Sequence, residues 1–389
     1  MSIKKLALFG GVPEFSKPIP VGQLYFPSWE DYESAMRGIF ERQYYTNHGP
    51  LVSELERKIS EFLNVKEAIL VTNNTVGLMM VAEALGLSGH VIMPALTFIA
   101  SGLSLVRCGL KPIFCDIAEG SIFPSINELE AANQENVSAV LGVHLWGSAA
   151  NILEIENWSK QKGYRVIWDS AQAFGCKIEG GYLGIYGEAE VFSFHATKVL
   201  SCTEGGCITT NNPNLAERLR NIRSSYGTRS VMSVSRTTNA RMSEMQAAIG
   251  ILSLNSYQEN VSYNLKIRNL YKQLIGTIPG IELLKTTGVT DSNFQSIVVI
   301  VDPNIFGVSR DRTVSALKAE GVNARRYFLP SLHTLTQFTQ GRDYCLPNTD
   351  AFQASNIVLP IGAATSVETV ERICNLLLSI NKHRSDLNG

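Results

Sequence analysis

Between about residues 50 and 226, short runs rich in β-branched residues, each bounded by Gly, Pro, Asn or Asp, alternate with segments whose apolar residues recur at helical spacing. No other feature restricts the fold as strongly, because strands separated by helices pair in parallel through crossover connections. The runs 68–71, 91–93, 112–115, 139–143, 165–168, 191–194 and 207–210 read as strands. Leu51, Leu55, Ile59 and Phe62 mark one helix face, and Leu215, Leu219 and Ile222 another. The expected architecture is α/β: a large domain with a mainly parallel seven-stranded sheet and helices on both faces, plus a smaller C-terminal α+β domain. After about Met242 the pattern predicts a long helical stretch, a strand at 297–301, a helix across 312–320, a strand near Val322 and a closing helix from about Val367. The boundary is placed at 1–250 for the large domain with an N-terminal arm and 251–389 for the small one. No low-complexity linker separates them, so a cleft between packed domains is the expected ligand site.

With 45% hydrophobic and 18% charged residues the chain can fill such cores, which disfavours a disordered or purely structural role. Lys and Arg total 34 against 35 for Asp and Glu, so neither nucleic acid nor an anionic membrane is an expected partner, and any anionic ligand must be held by local groups. Lys4 and Lys5 precede a short apolar stretch, but Pro13, Glu14 and Lys17 follow at once, so this segment reads as an arm rather than a leader. No apolar window reaches the roughly 18 to 20 residues of a membrane span. A soluble, cytoplasmic protein is expected. The seven cysteines form no C-x-x-C pair and lack histidines at zinc spacing, so no metal site is expected. Cys202 and Cys207 are more economically buried thiols than a redox pair.

Open α/β sheets bind ligands beyond the carboxyl ends of their strands, and three such places carry polar residues here. Thr72-Asn73-Asn74-Thr75 lies between a strand and a helix, where free amides and a hydroxyl can take an anion, or simply cap the helix. Asp169 follows 164–168; a carboxylate at an apolar strand end needs a cationic partner such as a protonated pyridine nitrogen, or else caps the next turn. Lys198 leaves the strand of Phe192-Ser193-Phe194 for a sheltered loop, where a lowered pKa would free its amine to form a Schiff base. Any one of these is weak. In this order, each at a strand end, they match the demands of a phosphorylated pyridine aldehyde. No G-x-G-x-x-G after a strand, P-loop, H-E-x-x-H or G-x-S-x-G competes. His144 reads as a structural histidine before it reads as a cofactor neighbour.

These residues, together with Gly49-Pro50, Thr97-Phe98, Val143-His144-Leu145, Asp169-Ser170-Ala171-Gln172-Ala173, Glu204-Gly205-Gly206 and Asn239-Ala240-Arg241-Met242, make the chain similar to the sugar aminotransferases of the DegT/StrS group over nearly its whole length. Those are fold-type-I enzymes dependent on pyridoxal 5'-phosphate (PLP). The resemblance implies that Lys198 carries PLP as an imine and moves the proton between sugar carbon and cofactor. It implies that Asp169 pairs with the pyridine nitrogen, Gln172 meets the ring hydroxyl, Phe98 stacks on the ring, and Asn74, Thr75 and Ser193 hold the phosphate. Asn239 matches a residue that reaches the phosphate of the neighbouring subunit, which implies a homodimer with shared active sites. Two positions depart from the family pattern: Asn74 stands where Gly is common, and Ser170 where Ala is common.

The stretch 194–198 with Glu204-Gly205-Gly206 is similar to members that aminate a 4-keto sugar; those acting at carbon three more often carry Tyr-Pro-Gly before the lysine and Asp-Gly-Gly after it. With 44–50, it resembles the enzymes that make dTDP-4-amino-4,6-dideoxyglucose, with L-glutamate as amino donor. Asn47, His195, Arg325, Arg326, Tyr327 and His333 are the implied sugar-nucleotide contacts, the arginines because a diphosphate needs cations. A 3-keto substrate, or a regulator that binds without turnover, are the alternatives.

Overall fold

The structure is a computed structural model that describes residues 5–225, 231–339 and 341–388. Among the described residues twelve strands follow one another: β1 (Glu67–Val71), β2 (His90–Pro94), β3 (Lys111–Cys115), β4 (Val137–Val143), β5 (Arg165–Asp169), β6 (Lys177–Ile178), β7 (Gly181–Tyr182), β8 (Ala189–Ser193), β9 (Gly206–Thr210), β10 (Ile281–Leu283), β11 (Ile297–Val301) and β12 (Asn356–Leu359). The large sheet has the order β1-β9-β8-β5-β4-β2-β3. All its pairings are parallel except those of β9, which opposes both β1 and β8. Side chains alternate across it: Ile92, Val140, Val166 and Phe192 enter one core, whereas Val91, Leu141, Ile167 and Val191 enter the other.

Helix Pro50–Leu63 shows how the flanking layer forms. Proline opens it, Asn64 in the left-handed region closes it, and Val52, Leu55, Ile59 and Leu63 are buried on one face, with Leu51 and Phe62 packed beside them. Its first turn has no side-chain cap of its own. Glu244, fully buried, supplies one from elsewhere, accepting from the Leu51 N–H at 3.0 Å and the Val52 N–H at 2.9 Å. A side chain at Gly49 would meet Glu244 at 2.5 Å, so the Gly49-Pro50 pair belongs to this cap.

The small domain is built on the antiparallel sheet β10-β11-β12. Of these strands only β11 was expected. Val322 makes a single bridge to Ile19 rather than a strand. The N-terminal arm, assigned above to the large domain, packs on the small one. Leu6 and Phe15 share a core with Ile373 and Leu377 of the closing helix Val367–Lys382, and Glu320 accepts from the Ala7 and Glu14 amides. Helix Tyr257–Ile275 begins in the large core at Tyr257 and ends in the small one at Tyr271 and Ile275. Among the described residues no helix is long and apolar enough to cross a membrane, and no cluster of ligating side chains could hold a metal. All seven cysteines are free thiols, with Cys202 and Cys207 fully buried.

Candidate active site

The parallel arrangement brings the ends of β1, β2, β4, β5 and β8 and the start of β9 to one edge of the sheet, and the chemistry-bearing residues leave from that edge. Asp169 closes β5 and is 4% exposed. Its Oδ2 accepts from the Ser101 hydroxyl at 2.7 Å; its Oδ1 accepts from the Ala171 N–H at 3.1 Å and the Asn74 side-chain amide at 3.2 Å. Burial pushes its pKa up, and the three donors, with the charge of Lys198, pull it back. Such a carboxylate is completed by a buried cation.

Lys198 is partly buried on the loop after β8. Burial holds its amine down to about 8, against the opposing pull of Asp169. Near neutrality roughly a tenth is therefore the free base that attacks a carbonyl, far more than for an ordinary lysine. Its Nζ makes no hydrogen bond or ion pair among the described residues.

The third element is the N-terminus of helix Asn74–Ala84. Asn73 caps it by accepting from the Val76 N–H at 2.9 Å, and the Asn74 and Thr75 amides find no acceptor among the described residues. Gly206 lets this turn lie against β9, since a Cβ there would stand 2.8 Å from the Asn74 nitrogen. One expectation changes. The Asn74 side chain donates to the Val191 carbonyl at 2.8 Å as well as to Asp169, so it serves the carboxylate, and a phosphate would meet its backbone amide and Thr75. Ser193 lies at the end of β8, its hydroxyl 3.4 Å from the His195 N–H.

Gln172 accepts from the Trp146 N–H at 2.8 Å through its carbonyl oxygen, and its amide nitrogen has no acceptor among the described residues. His144 is buried and stacked on Trp168 at 4.7 Å; its Nδ1 accepts from the Ala150 N–H at 3.2 Å, while its Nε2 has no partner. Burial lowers its pKa to about 3, so it is neutral. Phe98 is 56% exposed at the head of helix Ile99–Arg107, with its ring 6.3 Å from that of Phe328.

The expected substrate contacts divide. Arg325, Arg326 and Tyr327 line one depression, together with Phe98, expected on the cofactor ring, and with Lys318, which sequence reasoning missed. Arg326 is engaged with Asp311 at 3.0 Å, whereas Arg325 and Lys318 have no carboxylate partner among the described residues. His195 is exposed, its Nδ1 2.8 Å from the Thr197 hydroxyl and its Nε2 3.6 Å from Glu204. Asn47 and Asn239 are exposed and their side chains make no hydrogen bond within the described chain; the Ala240 carbonyl beside Asn239 accepts from the Thr72 N–H at 3.0 Å. His333 is 5% exposed, with its Nε2 3.0 Å from Asp350 and its Nδ1 without a partner among the described residues. Ser101 was also missed. Its position in the first turn of the helix that follows β2 is the signal that could have found it.

A buried carboxylate, an amine with a depressed pKa and an anion-binding helix end on one sheet edge fit PLP, and together with the strand order they define a fold-type-I PLP-dependent transferase. The chain belongs to the DegT/DnrJ/EryC1/StrS aminotransferase family, whose sequence model matches residues 29–378. It is 31% identical over 366 residues to the dTDP-4-amino-4,6-dideoxy-D-glucose transaminase of Shigella dysenteriae, covering 94% of this chain and 99% of that one. It is 27% identical to the GDP-perosamine synthase of Vibrio cholerae, covering 92% and 98%. Among solved structures it matches DesI, crystallised in the presence of its TDP-sugar product, with a TM-score of 0.94, 33% identity and coverage of 100% and 99%.

Proposed function

We propose that this nucleotide-sugar aminotransferase moves an amino group from L-glutamate to a nucleotide-linked 4-keto-6-deoxy sugar, with dTDP-4-keto-6-deoxyglucose giving dTDP-4-amino-4,6-dideoxyglucose. The observation that carries the reaction class is the Lys198 amine, held to about 8 beside the buried Asp169 carboxylate. The similarity to the Shigella dysenteriae enzyme favours the dTDP sugar.

When bound, PLP supplies an electron sink that stabilises negative charge on the carbon losing its proton. Asp169 holds the ring nitrogen protonated, aided by Ser101 and Asn74. The helix end at Asn74 and Thr75, with Ser193, takes the phosphate. Gln172 directs its free amide donor to the ring hydroxyl. Lys198, as general base and acid, removes a proton from glutamate and in the second half delivers one to the sugar carbon. Arg325 and Lys318 neutralise the diphosphate, and the Phe98 and Tyr327 rings give the pocket its apolar walls.

Asn239, exposed and without a side-chain hydrogen bond among the described residues, reaches the phosphate of a second copy, so the working unit is a homodimer, and the balanced charge of the chain suits the cytoplasm. The decisive assay offers purified protein, PLP and glutamate a panel of 3-keto and 4-keto nucleotide sugars and identifies products by mass and NMR. Formation of 2-oxoglutarate with a 4-amino sugar is the expected result; a 3-amino product, or no product with any sugar, overturns the proposal. Size-exclusion chromatography with light scattering checks the dimer.

A further inference from the structure

We propose that Gln295 and Asn293 are positioning residues that fix the distance between the Lys198 segment and the Asp169 segment, acting from the loop that enters β11. The proposal rests on the reading of Lys198 as the reacting amine.

The peptide unit from which Lys198 departs is held at both ends. Its N–H donates to the His195 carbonyl at 2.9 Å. Its C=O, contributed by Thr197, accepts from the Gln295 side-chain amide at 2.9 Å and from the Gln23 N–H at 3.2 Å. Gln295 is 6% exposed, and its own N–H is tied to Asn293 Oδ1 at 2.9 Å. Asn293, 2% exposed, turns its amide the other way, donating to the carbonyls of Gln172 at 3.2 Å and Phe174 at 3.1 Å in the segment that follows Asp169. Two residues of one loop, Asn293 and Gln295, thus grip both halves of the site.

The grip is itself braced. The fully buried Gln23 donates its side-chain amide to the Gln295 carbonyl at 2.7 Å, and Asn264 donates to the Asn293 carbonyl at 3.3 Å. Simple satisfaction of buried polar groups would need no such convergence, since unrelated donors could serve each carbonyl. Here one loop of the small domain and one residue of the arm orient the peptide plane from which the lysine side chain leaves. A displacement of the reacting nitrogen by about 1 Å can cost roughly a hundredfold in rate, so the strap bears on chemistry more than on binding.

The test compares holoenzymes. Gln295→Met keeps the length and apolar bulk of the side chain but loses the donor to Thr197. It is expected to lower kcat in both half-reactions by about tenfold or more, while KM for glutamate and keto sugar stays within about twofold. The pH midpoint of the bound cofactor's visible band shifts with it. In the apoprotein, so does the pH dependence of Lys198 modification by an amine reagent, followed by peptide mass mapping. Val299→Ala in β11 serves as a destabilised control that touches neither carbonyl, and is expected to lower the melting temperature and change none of these readouts. If Gln295→Met fails to fold, Gln295→Leu, which likewise lacks the donor, carries the same comparison. A Gln295 variant that titrates and turns over like Val299→Ala overturns the proposal. Absence of any visible band in the wild-type protein loaded with PLP would instead bring down the assignment of Lys198, and the strap with it.

Discussion

The Ser101 hydroxyl donates to Asp169 Oδ2 at 2.7 Å, from the first turn of a helix that follows a different strand. Together with Asn74 on Oδ1, it keeps a buried carboxylate ready to ionise and fixes the direction in which its charge points. The geometry of β1, β2 and β5 therefore converges on one side chain before any ligand is considered.

Replacing Ser101 with Ala removes a charge-assisted hydrogen bond worth about 1.5–3 kcal/mol. The carboxyl pKa, already raised, rises further, so the ionised form is lost first as pH falls. Affinity of the apoprotein for PLP should drop by roughly ten- to a hundredfold, more at pH 6 than at pH 8. Absorbance titrations at both pH values measure this; an unchanged affinity at pH 6 would dismiss the role given to Ser101.

Lys198→Ala should abolish the visible band of the bound cofactor and reduce product formation by at least about 10²- to 10⁴-fold, the usual worth of a positioned general base. Spectra of the purified variant and overnight assays with glutamate answer the question. Normal turnover without this amine would refute the assignment.

Glu190 offers a test through stability. It is fully buried, accepting from Ser170 at 2.6 Å, Gly184 at 2.5 Å and Tyr186 at 3.1 Å, and burial raises its pKa from the ordinary 4.5 to about 7. The folded state thus holds this proton more tightly than the unfolded state does. Its contribution is fully present below pH 4.5 and is lost as pH climbs through about 7, a change on the order of 3 kcal/mol. Glu190→Gln cannot titrate, so urea midpoints measured from pH 5 to pH 8 should fall less with rising pH in the variant than in the parent. Parallel curves would show that Glu190 is not the group responsible.

The depression beneath Phe98 gives a kinetic prediction. Arg325→Ala and Lys318→Ala should each raise KM for the nucleotide sugar by about tenfold, more at low ionic strength, and leave the glutamate half-reaction unchanged. Arg326→Ala should do less, because Arg326 is engaged with Asp311 at 3.0 Å. Stopped-flow measurement of each half-reaction separates the effects, and equal losses in both halves would argue for a general structural defect.

The large sheet was legible because central parallel strands are buried on both faces and read as apolar runs; each of its strands lies within two residues of its expected bounds. β10 was not, being three residues with Glu282 at its centre, and β12 follows helix Pro347–Ser355 without an intervening turn residue. The arm's partner, Glu320, lies near the other end of the chain, where no local pattern reaches. In the site, strand ends marked Asp169 and Lys198 as chemical. Sequence could not give direction. Asn74 on an anion-binding turn can face outward or inward, and its amide points inward to Asp169. Nor could sequence show that His333, within a basic, aromatic stretch, lies 3.0 Å from Asp350 through its Nε2.

Leu6 and Phe15 share their core with Ile373 and Leu377. The arm therefore waits for a helix that is made much later, and the small domain cannot close before that helix exists. Because Gln23 on that same arm grips the carbonyl preceding Lys198, the lysine can take up its final posture no sooner. A chain made only as far as helix Tyr257–Ile275 holds the strands of the large sheet but not yet an aligned amine.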